Sequence, residues 1–156
     1  MSGVPQALES RFIGSMRIEV ERSVHLGVTR SGSRRFDILK GGSFEGPRVH
    51  GTILPGGSDS LLQRSDGSYH PDVRLAMESD DGQTVLITYR GIRTASEAVN
   101  FRLMAGEHVP YTEFYLRSAV FFETASEKYD WLNRIVTVGV GRREGATVVY
   151  EVFEIL

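Results

Sequence analysis

Short runs of strictly alternating apolar and polar residues, separated by acid-glycine pairs, constrain this chain more than any other feature. In residues 69–79, YHPDVRLAMES, Val73, Leu75 and Met77 point one way while Asp72, Arg74, Ala76 and Glu78 point the other. That period of two is the signature of a strand with two distinct faces. The next run, QTVLITYRG at 83–91, is β-branched and aromatic, and Asp81-Gly82 separates the two. Such a pair between alternating runs is a strong hairpin signal. Asp66-Gly67 predicts a second hairpin between LLQR and SYHPDV, and Glu144-Gly145 a third between NRIVTVGVGRR and ATVVYEVFEIL. MRIEVERSVHLGV at 16–28 reads as one or two strands, and YTEFYLRSAVFFE at 111–123 alternates again. Helical signals are few. Thr94-Ala-Ser-Glu97 and Thr124-Ala-Ser-Glu127 fit the capping box, which predicts short helices near 95–105 and 125–133. Many short strands joined by tight turns mean a mainly β chain, an antiparallel barrel or sandwich. The barrel is preferred because both faces of several strands carry large or functional side chains.

The 156 residues fit a single domain over 1–156, with 1–15 as a possible flexible or swapped N-terminal arm. A domain of this size can bury roughly 70% of its unfolded surface and needs no covalent staples. Cysteine is absent, so no disulfide framework or thiolate chemistry is available. The start, MSGVPQALESRF, lacks the layout of a signal peptide, and no apolar run reaches eighteen residues, so a cytoplasmic location without membrane contact is expected. Net charge is -2, and the cations are scattered rather than striped, which argues against nucleic acid. They are nearly all arginine, Lys40 and Lys128 being the only lysines.

GGSFEGPRVHGTILPGG, residues 41–57, holds six of the seventeen glycines. A phosphate loop would need lysine where Pro47 stands and a helix behind it. Here a strand-like VHGTI follows, so these glycines are read as bulges and barrel corners. The four histidines show no metal-ligand spacing, and no nucleophile elbow is present, so neither a metal nor a cofactor is expected.

The polar rows carry the chemical interest. One is Asp72, Arg74, Ala76 and Glu78; the other is Tyr115, Arg117, Ala119, Phe121 and Glu123, opposite Phe114, Leu116, Val120 and Phe122. On an arbitrary β protein these rows are a solvated outer face. Inside a small barrel they would line a ligand pocket. There a carboxylate tuned by burial and an arginine can move a proton, and Tyr or Arg can hold an enolate or phenolate oxygen. YDWLN at 129–133, with the only Trp, reads first as a plug over a core and second as a ligand-stacking element.

GGSFEGPRVHGTILPGGSD, DVRLAMESDDGQTVLITYRG and YLRSAVFFETASEKYDWLNRIVTVGVG, in that order, resemble the motifs of the domain of unknown function 3237 family, also called uncharacterised protein family 0311. The resemblance runs from about Gly41 to the C-terminus. It implies a compact antiparallel β-barrel, similar in kind to allene oxide cyclases and dirigent proteins, seen as a homo-oligomer, with a dimer favoured. The family's motif residues correspond to Asp59, Asp72, Arg74, Tyr115, Arg117, Phe122, Glu123, Tyr129, Trp131 and Asn133. Ser60 stands where the family often has Trp, and Leu116 replaces a usual Phe. The expectation is a cofactor-independent isomerase or cyclase for an apolar, aromatic or polyketide-like small molecule. Asp72 or Glu123 would be the acid/base, Arg74, Tyr115 and Arg117 the oxyanion holders. Asp59, Ser60, Arg64, Tyr89, Phe122, Tyr129, Trp131 and Asn133 would bind the ligand. The alternatives are a non-catalytic binding barrel and a structural oligomer with internal ion networks.

Overall fold

The computed structural model describes residues 3–156. Ten strands make one antiparallel sheet that closes on itself. They are β1 (Ser10–Thr29), β2 (Gly32–Glu45), β3 (His50–Ile53), β4 (Ser58–Gln63), β5 (Tyr69–His70), β6 (Asp72–Ser79), β7 (Thr84–Thr94), β8 (Tyr115–Glu123), β9 (Thr137–Glu144) and β10 (Thr147–Ile155). Around the wall, β1 pairs with β10, then β9, β8, β7 and β6 follow. β3 and β4 bridge β6 to β2, and β2 returns to β1. Closure removes the free edges of an open sheet.

All three acid-glycine hairpins form. Gly67, Gly82 and Gly145 have φ of 86°, 83° and 61°, the left-handed region that a tight hairpin turn demands and glycine enters freely. The 16–28 run is part of one long strand, β1, bent by three register shifts against β2. Residues 10–15, expected in a loose arm, are the start of β1 and pair with β10. Met1 and Ser2 lie outside the described residues. The alternating run at 69–79 breaks at Pro71 into β5 and β6, because proline cannot donate to a ladder. The run at 111–123 becomes strand only from Tyr115, after a 3-10 turn at Tyr111–Glu113.

The capping-box expectation shifts at both places. α1 spans Glu97–Met104, and its N-cap is Ser96, whose Oγ accepts from Val99 N at 3.1 Å; Thr94 still belongs to β7. No α-helix forms near 125–133. Thr124 Oγ1 instead accepts from Ser126 N and donates to Thr84 O, and only a 3-10 turn, Asp130–Arg134, follows. A hydroxyl bonded across to a neighbouring strand is not free to start a helix. Among the described residues, no helix is long and apolar enough to cross a membrane.

The glycine-rich stretch turns a barrel corner. Gly41 has φ of 116°, and a Cβ on Gly42 would stand 1.8 Å from Arg17 O, so β1 and β2 could not come so close with any side chain there.

The interior is filled by the aliphatic rows. Val73, Leu75 and Met77 of β6 and Leu116, Val120 and Phe122 of β8 are all buried, with Phe44 and Phe122 meeting edge to face at 6.0 Å between centroids. The polar rows therefore face out. Asp72, Arg74 and Glu78 are exposed, as are Tyr115, Phe121 and Glu123, while Arg117 is half-buried. The inward orientation expected for these rows is reversed. Filling a barrel of this width with close-packed apolar groups outweighs burying charges that would then need partners.

Candidate functional site

One end of the barrel departs from that apolar rule. Strand phase carries a second, sparser set of polar residues inward. On β2, Arg35 and Asp37 share a face with the buried Leu39; on β4, Asp59 shares one with Leu61. On β7, Val85, Ile87 and Tyr89 are buried, and two residues on from Gly91 the same face presents Arg93. On β9, the face of Gly139 and Gly141 presents Arg143. These groups, with Tyr69 of β5 and Tyr150 of β10, line a cavity of about 90 Å³ floored by Ile18, Leu39, Leu116 and Val148. The glycines make room for two of the wall side chains. A Cβ at Gly139 would lie 2.9 Å from the Tyr150 ring, and one at Gly141 would lie 2.5 Å from Leu116.

The register fixes who meets whom. Asp37 stands directly opposite Asp59 across β2 and β4. Arg93 stands opposite Tyr69 on one side and Leu116 on the other, with its guanidinium carbon 4.2 Å from the Tyr69 ring centroid. The rings of Tyr89 and Tyr150 meet edge-on at 5.1 Å, and Ser118 Oγ donates to Tyr150 Oη at 3.2 Å.

The charges divide into a settled pair and an unsettled set. Arg35 grips Asp37 through two contacts, Nε to Oδ1 at 2.9 Å and Nη2 to Oδ2 at 3.0 Å. Only the Nη2 contact is a hydrogen bond, the Nε–Oδ1 approach being an ion-pair contact without hydrogen-bond geometry. Asp59 has no ion pair among the described residues; its Oδ1 accepts from the backbone N–H of Asp72 at 3.0 Å. Burial lifts its carboxyl to about 6, against an ordinary 3.8. Asp37 adds to the rise, while the Asp72 N–H and Arg35 oppose it. Arg93 and Arg143 likewise form no ion pair among the described residues, and the Nε of each is buried without a hydrogen-bond partner. Burial lowers the pKa of both; Arg35 lowers both further and Arg143 also lowers Arg93, while Tyr69 and Tyr150 oppose the fall at Arg93 and Asp37 opposes it at Arg143. Burial also raises both Tyr89 and Tyr150, so the phenols stay neutral and serve as dipoles.

Of the residues expected to bind ligand, Asp59 and Tyr89 line this cavity. Ser60, between Asp59 and Leu61, takes the opposite face of β4 and pairs with Phe36, so a Trp at that position would not widen or narrow the cavity. Arg64 is exposed in the β4–β5 turn, where its backbone holds Gly67 and Ser68. Phe122 is in the core. Tyr129, Trp131 and Asn133 sit at the other end of the barrel. There Tyr129 Oη donates to Asp81 at 3.0 Å, Arg48 covers the Trp131 ring at 3.7 Å, and Asn133 bonds the backbone of Thr124. Asp72, Arg74, Tyr115, Arg117 and Glu123 are outside the cavity. Sequence reasoning missed Arg35, Asp37, Tyr69, Arg93, Arg143 and Tyr150. Continuing the phase of Ile87 and Tyr89 along β7 would have found Arg93, and the Gly-x-Gly-x-Arg spacing of β9 would have found Arg143.

A family model described as "Protein of unknown function (DUF3237)" matches residues 8–155. The chain belongs to that family. The UPF0311 protein RPA1785 of Rhodopseudomonas palustris is 29% identical over 149 residues, 96% of this chain and 97% of that one. Its crystal structure superposes with a TM-score of 0.92 at 28% identity, covering 97% of this chain and all of the other. A beta-barrel like protein from Acinetobacter baumannii matches with a TM-score of 0.85 at 30% identity over 99% of this chain and all of the other. The hydroalkoxylation enzyme phnH of Penicillium herquei is 30% identical over 101 residues, 65% of this chain and 52% of that enzyme. A crystal structure of an enzyme from the same fungus shares the fold, with a TM-score of 0.73 at 22% identity and full coverage of both chains.

Proposed function

We propose that this protein is a cofactor-independent isomerase or cyclase that works by proton transfer inside the barrel mouth, with Asp59 as the acid/base. The observation that carries the reading is a carboxyl lifted to about 6 in a cavity that also holds two arginines without ion pairs and three tyrosines. A group titrating near neutrality can both take and return a proton, which a surface carboxylate does poorly. The step balances without a co-reactant. The Asp59 carboxylate takes a proton from an acidic O–H or C–H of the substrate, and the arginines hold the resulting oxyanion. The carboxyl then gives the proton to a carbon. If the proton lands elsewhere on the same skeleton, the result is isomerisation. If the oxygen attacks a C=C as the neighbouring carbon is protonated, it is ring closure, with one C–O and one C–H bond formed from O–H and C=C.

The second outcome is what the word hydroalkoxylation names in the Penicillium relative, the addition of an alcohol across a double bond. A relative that is an enzyme on the same barrel supports a cyclase-type role here. A purely structural ion network is disfavoured because its charges would close on one another, as Arg35 and Asp37 do and as Arg93 and Arg143 do not.

The test is a panel of hydroxylated aromatic and polyketide-like olefins incubated with the protein in D2O and read by NMR for deuterium on carbon or a new ring. Asp59→Asn is expected to lower the rate by about 10²- to 10⁴-fold, the usual worth of a positioned acid/base. Full activity in both Asp59→Asn and Asp59→Ala would remove Asp59 from the role.

A further inference from the structure

The cavity has more positive than negative charge, and the excess is lodged in particular atoms. Three guanidiniums, from Arg35, Arg93 and Arg143, face two carboxylates, Asp37 and Asp59. Arg35 and Asp37 cancel each other. The remaining carboxyl, Asp59, is the group most easily neutralised, and it forms no ion pair with either remaining arginine among the described residues. Both arginines are half-buried with a buried, unbonded Nε; charge held so without an ion pair is costly, and arginine cannot relieve the cost by giving up its proton. Two such guanidiniums on neighbouring parts of one wall call for an anion that the chain does not itself supply.

The walls say what kind of anion. The cavity is floored by aliphatic side chains and flanked by the rings of Tyr69, Tyr89 and Tyr150, so the charge must arrive on an apolar, flat body. Its volume of about 90 Å³ is below the roughly 150 Å³ of an engineered cavity that takes a whole benzene ring. Only the oxygen-bearing edge of a ring enters. Tyr69 also borders a second, open groove of about 550 Å³, where α1 presents Phe101 and Met104, both about three-quarters exposed. The rest of a larger skeleton has a place there, on the far side of the Tyr69 ring. Phosphate and sulfate are poorer fits, since the guanidiniums would meet some of their oxygens while the rings and aliphatic floor desolvate the rest.

We propose that the cavity binds its substrate as an organic oxyanion, the conjugate base of a phenol or enol, with the charged oxygen between the guanidiniums of Arg93 and Arg143 and the attached skeleton running past Tyr69 toward α1. This deepens the proton-transfer reading by naming the substrate class of the same site, and it stands or falls on binding alone. Arg93 and Arg143 are then binding residues that also select for acidity. A compound whose hydroxyl is replaced by a methyl ether keeps its shape and loses its place.

The probe is 4-nitrophenol, whose ionised form absorbs at a longer wavelength than the neutral form. Its spectrum is followed over a pH series with the wild-type protein in excess, and 4-nitroanisole is the uncharged control of the same shape. The expected result is a downward shift of the probe's apparent pKa by about one to two units. Nitroanisole should bind about 10- to 100-fold more weakly, as the loss of charge-assisted hydrogen bonds implies. Arg143→Gln and Arg93→Gln should each reduce the shift, and equilibrium dialysis should report the same loss. Equal binding of the two probes, binding of nitrophenol with no pKa shift, or binding of neither by the wild type would overturn the proposal. The wild-type comparison decides even if a variant fails to fold. It is also separable from the acid/base assignment. Asp59→Asn should leave the nitrophenolate bound, so loss of turnover without loss of binding, or the reverse, identifies which of the two readings has failed.

Discussion

Replacing Asp59 by Asn isolates what a half-ionised carboxyl costs the fold. Its pKa is about 6 in the native protein and close to the ordinary 3.8 when the chain is unfolded. The gap of roughly two units corresponds to about 3 kcal/mol at 1.36 kcal/mol per unit. A raised native pKa means that the folded state holds the proton more tightly. Stability from this group is therefore complete below about pH 4 and is lost as pH rises through 6. Roughly 2 kcal/mol of the loss falls between pH 4.5 and 8, since at pH 4.5 the unfolded carboxyl is already mostly ionised. Asn has no proton to lose, and its Oδ1 can still accept from Asp72 N–H. Urea unfolding of both proteins at half-unit pH intervals gives the difference in stability, in which the other titrating groups cancel. That difference should move in favour of Asp59→Asn by about 2 kcal/mol from pH 4.5 to 8. A flat difference would refute the claim that burial leaves this carboxyl poised near neutrality.

Phe44→Ala empties the position that meets Phe122 and should lower stability by about 3–5 kcal/mol in urea unfolding, as large-to-small core changes do. Ser118→Ala leaves the buried Tyr150 hydroxyl without its donor and should cost about 1 kcal/mol, with a change in the tyrosine near-ultraviolet circular dichroism. Asp72→Asn and Glu123→Gln, on the outer wall, should leave 4-nitrophenol binding unchanged, and a loss in either would return the polar rows to the site.

The fold was readable because hairpins are local. Asp66-Gly67, Asp81-Gly82 and Glu144-Gly145 each act within a few residues, and alternation marks strand faces just as locally. Which face points inward is not local, because it depends on closure. On β6 and β8 the acid, arginine and tyrosine rows looked like pocket chemistry, yet those strands are needed for packing along most of their length. The inward charges come instead from strand ends: Arg93 is next to last in β7, and Arg143 next to last in β9. Strand ends reach the barrel mouth, where packing demand falls and polar groups are tolerated. Asp59 and Tyr89 were named in advance, but nothing in the sequence alone showed that Arg93 and Arg143 would join them.

The position of Trp131 has an optical consequence. The indole lies under Arg48 at the end of the barrel opposite the charged cavity, while three tyrosines stand on the cavity wall itself. Emission excited selectively in the indole will therefore report how well the far end is closed and will stay constant while the cavity fills. A cavity ligand that does not absorb at the indole's emission should instead change the tyrosine emission, so the two signals of the unlabelled protein report on its two ends.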